Sequence, residues 1–286
     1  MACERLAVLA GAELGELATR CFPDGESYVR VESAVASREV ILVDSLARPN
    51  HRTLELVFAA DALRELGATC VGLVAPYLPY MRQDARFNPG EAITSRSFAA
   101  VLSRSFDWLL TVDPHLHRIA RLTDLYSIPA RVVHAAPALG AWIAAHVSAP
   151  LIVGPDAESR QWVDAVARAA GAPSTVMTKT RRGDRDVVEA PADLAGHLAC
   201  TPVVVDDIIS TGKTMGAAIA HLREQGMPPA VCVAVHAVFA DGANDTLRAA
   251  GAGQIVTTNT IPHPSNGIDV LPAIADALRT ALKGSQ

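Results

Sequence analysis

Between Val203 and Met215 the chain reads VVVDDIISTGKTM, an apolar run that passes into two carboxylates, then hydroxyls, a glycine and a lysine. Gly212-Lys213-Thr214 matches the end of a nucleotide P-loop, whose pattern needs a glycine five positions earlier. That position is Asp207. A carboxylate there repels the phosphate that a P-loop wraps in backbone N–H groups, so the P-loop reading fails. The apolar and alanine-rich GAAIAHLRE predicts a helix next, which puts Ser210, Thr211, Gly212, Lys213 and Thr214 at a helix N-terminus. Free N–H groups and the helix dipole favour an anion there. Asp206 and Asp207 suit hydroxyl groups instead. A ligand with a phosphate at one end and neighbouring hydroxyls at the other, such as a ribose 5-phosphate, satisfies both. The plain alternative is an acidic strand end before a capped helix.

Other stretches carry chemistry of the same kind. In PYLPYMRQDARFNPGEAITSR, Arg82 can meet a phosphate, while Gln83 and Asp84 can hydrogen-bond a base or a ribose. WLLTVDPHLHRI brings Asp113, His115 and His117 to the end of an apolar run, with no third ligand at a spacing that would argue for zinc. VMTKTRRGDRDVVEA holds Lys179 and Arg181 at an expected strand end, opening a polar loop. Phe22-Pro23-Asp24-Gly25-Glu26 reads as a turn.

The elements that must hold these groups are legible as a rhythm. Apolar runs of four to seven residues recur as EVILVDS, CVGLVAPY, WLLTVD, PLIVGPD, PVVVDDI, VCVAVHAVF and QIVTTN, with helical patterns between several of them. One helical face carries Leu56, Ala60, Leu63 and Leu66 before Gly67 ends it. Buried runs alternating with helices imply parallel strands in an α/β fold. A faint repeat is visible as well. A strand, a loop, a helix ending LRELG and a second strand recur with LREQG, and Asp44 corresponds to Asp206 at an offset of 206 − 44 = 162. Two similar α/β domains are expected, 1–141 and 142–286, joined near HAAPALGAWIAAHVSAP.

Bulk properties narrow the partners. The chain has 286 residues, a net charge of −5 and few aromatics, which argues against nucleic acid as the main partner. No run approaches the roughly 18 apolar residues of a membrane helix, and the acidic N-terminal stretch is unlike a signal peptide. Five scattered cysteines with no C-x-x-C pair fit reduced thiols and a cytoplasmic location.

Taken together, D-D-x-x-x-T-G-x-T after an apolar strand resembles the phosphoribosyl diphosphate loop of type I phosphoribosyltransferases and ribose-phosphate pyrophosphokinases. The remaining stretches resemble the pyrophosphokinases in order and spacing, from about Phe22 to the last helix. The resemblance implies two similar type I phosphoribosyltransferase-like domains, each a mainly parallel sheet flanked by helices. It implies ATP binding by Phe22, Asp24, Gly25 and Glu26, across a subunit interface, and by Arg82, Gln83 and Asp84. Asp206, Asp207 and Ser210 to Thr214, Lys213 included, are implied as the ribose 5-phosphate site. His115 and Asp156 are implied to help set Mg2+, and Lys179 and Arg181 to act on the transferring phosphates from a mobile loop. TTNTIPHP is similar to the family's T-N-T-I-P segment. Two departures stand out: Pro114, where the family usually has leucine, and Glu158-Ser159, where many members have two glycines. His117 has no family role and is expected on the surface. The compact length and FNPGEAITSR resemble the shorter, archaeal-type branch. The expected activity is diphosphoryl transfer from ATP to ribose 5-phosphate in a homo-oligomer; a phosphoribosyltransferase or a non-catalytic regulatory partner of a synthetase are the alternatives.

Overall fold

The computed structural model describes residues 2–182, 185–189 and 194–283. It divides into two compact units: the chain up to Val133 together with the stretch from Leu271, and His134–Val270. The sequence placed the join at 141/142, which falls inside a helix of the second unit. The terminal helix, read with the second domain, belongs by its contacts to the first.

The first unit opens with α1 (Ala2–Ala10) and a hairpin of β1 (Leu17–Cys21) and β2 (Ser27–Val31). Then come β3 (Glu39–Val43), α2 (Pro49–Glu65), β4 (Cys70–Ala75), α3 (Thr94–Ser105), β5 (Trp108–Val112) and β6 (Ala130–Val133). The four later strands make a parallel sheet in the order β3-β4-β5-β6. Val71, Leu73 and Ala75 are fully buried and pack with Leu63, Phe98, Leu102 and Leu109. Strands covered on both faces must be apolar at every position, which is why they read as continuous runs. In α2, Leu56, Ala60 and Leu63 are buried as expected, but Leu66 is 52% exposed. It caps the helix, where the chain turns toward Gly67 and leaves the apolar face.

The second unit contains α4 (Ala136–His146), β7 (Pro150–Gly154), α5 (Arg160–Ala170), β8 (Ser174–Val176) and a hairpin of β9 (Thr178–Arg182) and β10 (Arg185–Glu189). It continues with β11 (Thr201–Ile209), α6 (Lys213–Glu224), β12 (Ala230–Ala237), α7 (Ala243–Ala250), β13 (Ala252–Thr258) and β14 (Asn266–Ile268). Its sheet is parallel throughout, in the order β14-β13-β12-β11-β7-β8. The chain then returns to the first unit as α8 (Leu271–Lys283), where Arg279 bonds the Leu9 carbonyl of α1. β11 lies inside its sheet, flanked by β7 as far as Val204 and by β12 as far as Ile209, so β12 holds its C-terminal end. Among the described residues no helix is long and apolar enough to cross a membrane.

Candidate active site

β11 stays in register with β12 as far as Ile209 opposite Ala237, and α6 begins at Lys213. Only Ser210, Thr211 and Gly212 lie between strand and helix. That is too short to wrap a nucleotide phosphate as a P-loop does, and Asp207 is still inside the strand. Lys213 and Thr214, read from sequence as loop, form the first turn of α6. Gly212 takes the left-handed conformation at φ 72, and a Cβ there would sit 3.1 Å from both the Ala243 carbonyl oxygen and Leu247 Cγ. The left-handed backbone favours glycine, and the space beside it is tight for any side chain. The first bond within the helix runs from the Gly216 N–H to the Gly212 carbonyl at 2.8 Å. The N–H groups before it face the end of the helix, where an anion is favoured.

Immediately upstream, negative charge is crowded. Asp207 is 3% exposed, and its N–H donates to Asp206 Oδ1 at 3.0 Å. Burial, reinforced by Asp207 and Asp156, raises the Asp206 carboxyl well above the usual carboxylate range, and the Asp207 N–H only partly offsets this. Asp156 follows β7, which pairs with β11 at Val153 opposite Val204. Its Oδ1 accepts the Glu158 N–H at 3.2 Å. Ser159, one of the two departures from glycine, points inward: its hydroxyl donates to the Asp156 carbonyl at 2.5 Å. It fits because Gly154 opposite has no side chain; a Cβ there would lie 2.4 Å from Ser159 Oγ. Glu158 is exposed. The second unit therefore collects three carboxylates beside an anion-favouring helix start, a donor set that suits sugar hydroxyls and hard divalent cations.

Lys179 and Arg181 lie within β9, paired with Val188 and Asp186 of β10, rather than at a strand end. Their side chains fall outside the described part of the structure, as do residues 183 and 184 of the same stretch.

The first unit carries the other sequence-read residues on three elements. The turn between β1 and β2 is closed by the Phe22 N–H to the Glu26 carbonyl at 2.7 Å and the Gly25 N–H to the Phe22 carbonyl at 2.9 Å. The Glu26 N–H bonds Asp24 Oδ1 at 3.1 Å. Phe22 stays 37% exposed, and the Arg20 guanidinium lies over both its ring and that of Tyr28, at 4.6 and 4.4 Å. In the loop after β4, Arg82 is exposed and Gln83 half-buried. The Asp84 carboxylate is 2% exposed and pairs with Arg118 at 3.1 Å. Arg118 also lies 5.1 Å from the Phe87 ring centroid. Sequence reading missed Arg118 because its partners are fixed only by the fold, although its place in PHLHRI, next to two other candidates, was a signal. Further on, the Asn88 side chain and the N–H groups of Asn88 and Phe87 hold the Glu91 carboxyl below its usual range. At the end of β5, the ring of His115 lies 3.8 Å from that of His117. His117 is half-buried, not a plain surface residue as expected.

Residues 2–105 match the family of the N-terminal domain of ribose phosphate pyrophosphokinase, and residues 123–269 match the phosphoribosyl transferase domain family. A ribose-phosphate pyrophosphokinase from Methanopyrus kandleri is 35% identical over 96% of this chain and 94% of its own length. The chain belongs to the ribose-phosphate pyrophosphokinase family. One from Halobacterium salinarum is also 35% identical, over 96% of this chain and 95% of its own length. Among solved structures, the phosphoribosylpyrophosphate synthetase of Mycobacterium smegmatis superposes with a TM-score of 0.86 at 26% identity, covering 98% of this chain and 95% of that one. The pyrophosphokinase family thus accounts for both halves of the chain, and for the parallel sheets flanked by helices seen in each unit.

Proposed function

We propose that the chain moves the diphosphoryl group of ATP to the anomeric hydroxyl of ribose 5-phosphate, giving phosphoribosyl diphosphate and AMP. The observation that carries this is the end of β11: two carboxylates followed within one loop by a helix N-terminus. The 5-phosphate takes the N–H groups and hydroxyls of Ser210, Thr211, Gly212 and Thr214, with Lys213 at the margin. Asp206 and Asp207 accept hydrogen bonds from the sugar hydroxyls, which fixes the anomeric oxygen. That oxygen attacks the β-phosphorus; the bond from the β-phosphorus to the α-bridging oxygen breaks, AMP leaves with that oxygen, and the hydroxyl proton passes to solvent.

Such transfers depend on positioning and charge neutralisation more than on covalent chemistry. Lys179 and Arg181 meet the charge that develops on the transferring group. Phe22, Asp24, Gly25 and Glu26 of the hairpin, with Arg82 and Gln83, take ATP, while Asp84 holds that segment through Arg118. Mg2+ supplies neutralisation of the nucleotide oxygens when bound. The crowded carboxylates of the second unit, Asp156 among them, fit a hard dication chemically; the family resemblance adds His115, each acting directly or through water. The protein works in the cytoplasm as a homo-oligomer, in which the exposed hairpin reaches a neighbour's ATP.

The test is AMP release from ATP, ribose 5-phosphate and Mg2+ by the purified chain. Formation of phosphoribosyl diphosphate in step with AMP is the expected result. Consumption of phosphoribosyl diphosphate with a base would indicate a phosphoribosyltransferase, and no turnover above a Lys179→Ala control would indicate a regulatory partner.

A further inference from the structure

The loop between β11 and α6 has a second support. Past β12 the chain lays its backbone along the loop: the Phe239 N–H donates to the Ile209 carbonyl at 2.8 Å and the Ala240 N–H to the Ser210 carbonyl at 3.0 Å. Phe239 does this at φ 25, a region a bulky residue occupies only where its surroundings impose it. Its ring lies flat on the His263 imidazole, with centroids 4.2 Å apart and planes 3° from parallel. His263 is itself pinned. Its N–H bonds Asn266 Oδ1 at 2.9 Å, and its Nδ1 accepts the Ser265 N–H at 3.2 Å and lies 2.7 Å from Ser265 Oγ. The Asn266 amide in turn donates to the Thr258 carbonyl at 2.6 Å and to Thr257 Oγ1 at 3.0 Å. A continuous line of contacts therefore runs from β13 through His263 and Phe239 to Ser210. A little further along the same segment, the Ala243 carbonyl and the Leu247 side chain close on Gly212.

We propose that the Phe239–His263 stack is a clamp that sets where Ser210 and Thr211 stand, which makes His263 a positioning residue for the phosphate end of the sugar. The proposal rests on the reading that this loop holds the 5-phosphate. A face-to-face aromatic contact that props a backbone in an otherwise unfavourable conformation has one purpose to serve here. It holds the two N–H groups that tie the loop at the carbonyls of Ile209 and Ser210.

The full chain is assayed with ATP, ribose 5-phosphate and Mg2+, and ribose 5-phosphate binding is measured directly by calorimetry. His263→Ala removes the stack; His263→Phe keeps a flat ring without the nitrogens. His263→Ala should weaken ribose 5-phosphate about three- to tenfold in both KM and Kd, the equivalent of one aromatic pair, with the ATP KM within about twofold of the parent. His263→Phe should recover most of the loss. Phe239→Gly relieves the backbone but deletes the ring, and should behave like His263→Ala. Parent-like affinity in Phe239→Gly, or equal weakening of both substrates in His263→Ala, would overturn the clamp. Thr211→Val separates the two readings. If it leaves ribose 5-phosphate binding intact, the loop assignment itself is wrong; if it weakens binding while His263→Ala does not, only the clamp is.

Discussion

The two units use the same strand–loop–helix device and finish it in opposite ways. In the first, β3 leads to Asp44, the position that corresponds to Asp206. The Asp44 carboxylate accepts Arg52 Nε at 2.9 Å and Nη2 at 2.5 Å, both from α2, and the Leu46 N–H at 2.7 Å. Arg52 also pairs with Glu55, which is 8% exposed. Leu46 is completely buried at φ 50 and plugs the turn. In the second unit the charges bearing on Asp206 are the carboxylates of Asp207 and Asp156, and the turn is a glycine. In one copy an arginine pairs with the aspartate from within and a leucine fills the turn. The other crowds three carboxylates before an open helix start, which is a ligand site written as a stability cost.

The largest effect should come from the group that the first copy lacks altogether. Lys179→Ala should lower kcat by about 10²–10³, roughly 3–4 kcal/mol, because it removes a cation aimed at charge that develops in the transfer. Steady-state kinetics should find the KM values little changed. A variant that keeps its turnover would place the chemistry elsewhere.

Next, the corresponding carboxylates should part company. Asp206→Asn and Asp207→Asn should each weaken ribose 5-phosphate by about tenfold or more, the loss of a charge-assisted hydrogen bond, and leave ATP much less affected. Asp44→Asn should leave ribose 5-phosphate binding as it was. If all three act alike, the two loops are not functionally distinct.

Stability should run the other way. Asp44→Asn strips Arg52 of its main partner and should cost about 1–2 kcal/mol in chemical denaturation. Asp206→Asn removes a carboxylate that folding crowds, and should raise the Tm of the ligand-free protein. The sign with pH follows from linkage. A carboxyl whose pKa is raised on folding binds its proton more tightly in the native state. Ionising it therefore erodes stability as pH rises from the ordinary carboxylate range through its native pKa. The advantage of Asp206→Asn should be absent at acid pH and grow toward neutrality. An advantage that shrinks over that span would refute the crowding.

Much of this contrast is legible in the amino-acid sequence alone, for physical reasons. Strands such as VVVDDII and CVGLVA are covered on both faces, so burial forces them into unbroken apolar runs. The edge strands β6, β8 and β14 leave no such trace because three or four residues carry too little pattern, and β9 with β10 is a polar hairpin. Asp206, Asp207 and Gly212 stand out because acids and a glycine interrupt an apolar run in a fixed order. Arg52, Arg118 and His263 do not. Each matters through a partner that the fold brings to it, and a lone charged or imidazole side chain looks the same on any surface.

The smallest effect concerns Lys213, the residue that gives this stretch its likeness to a P-loop. In a P-loop that lysine reaches the nucleotide phosphates, and losing it abolishes the chemistry. Here it stands exposed at the first position of α6, with its N–H 3.5 Å from Thr211 Oγ1. Its ammonium projects from the positive end of the helix dipole, a place that disfavours a cation, and water screens it. The phosphate is held instead by backbone N–H groups whose direction Gly212 sets and by the hydroxyls of Thr211 and Thr214, and none of these depends on the side chain at 213. Lys213→Gly should therefore keep most of kcat and raise the ribose 5-phosphate KM by at most about tenfold, roughly 1.4 kcal/mol. Raising the salt concentration should narrow the gap between parent and variant, since the charge that is lost is a solvated one. The measurement is steady-state kinetics on Lys213→Gly and Lys179→Ala side by side at two ionic strengths. A dead Lys213→Gly beside an active Lys179→Ala would mean that the open copy holds its anion by a lysine after all, and that the contrast between the two loops lies in their side chains rather than in their backbones.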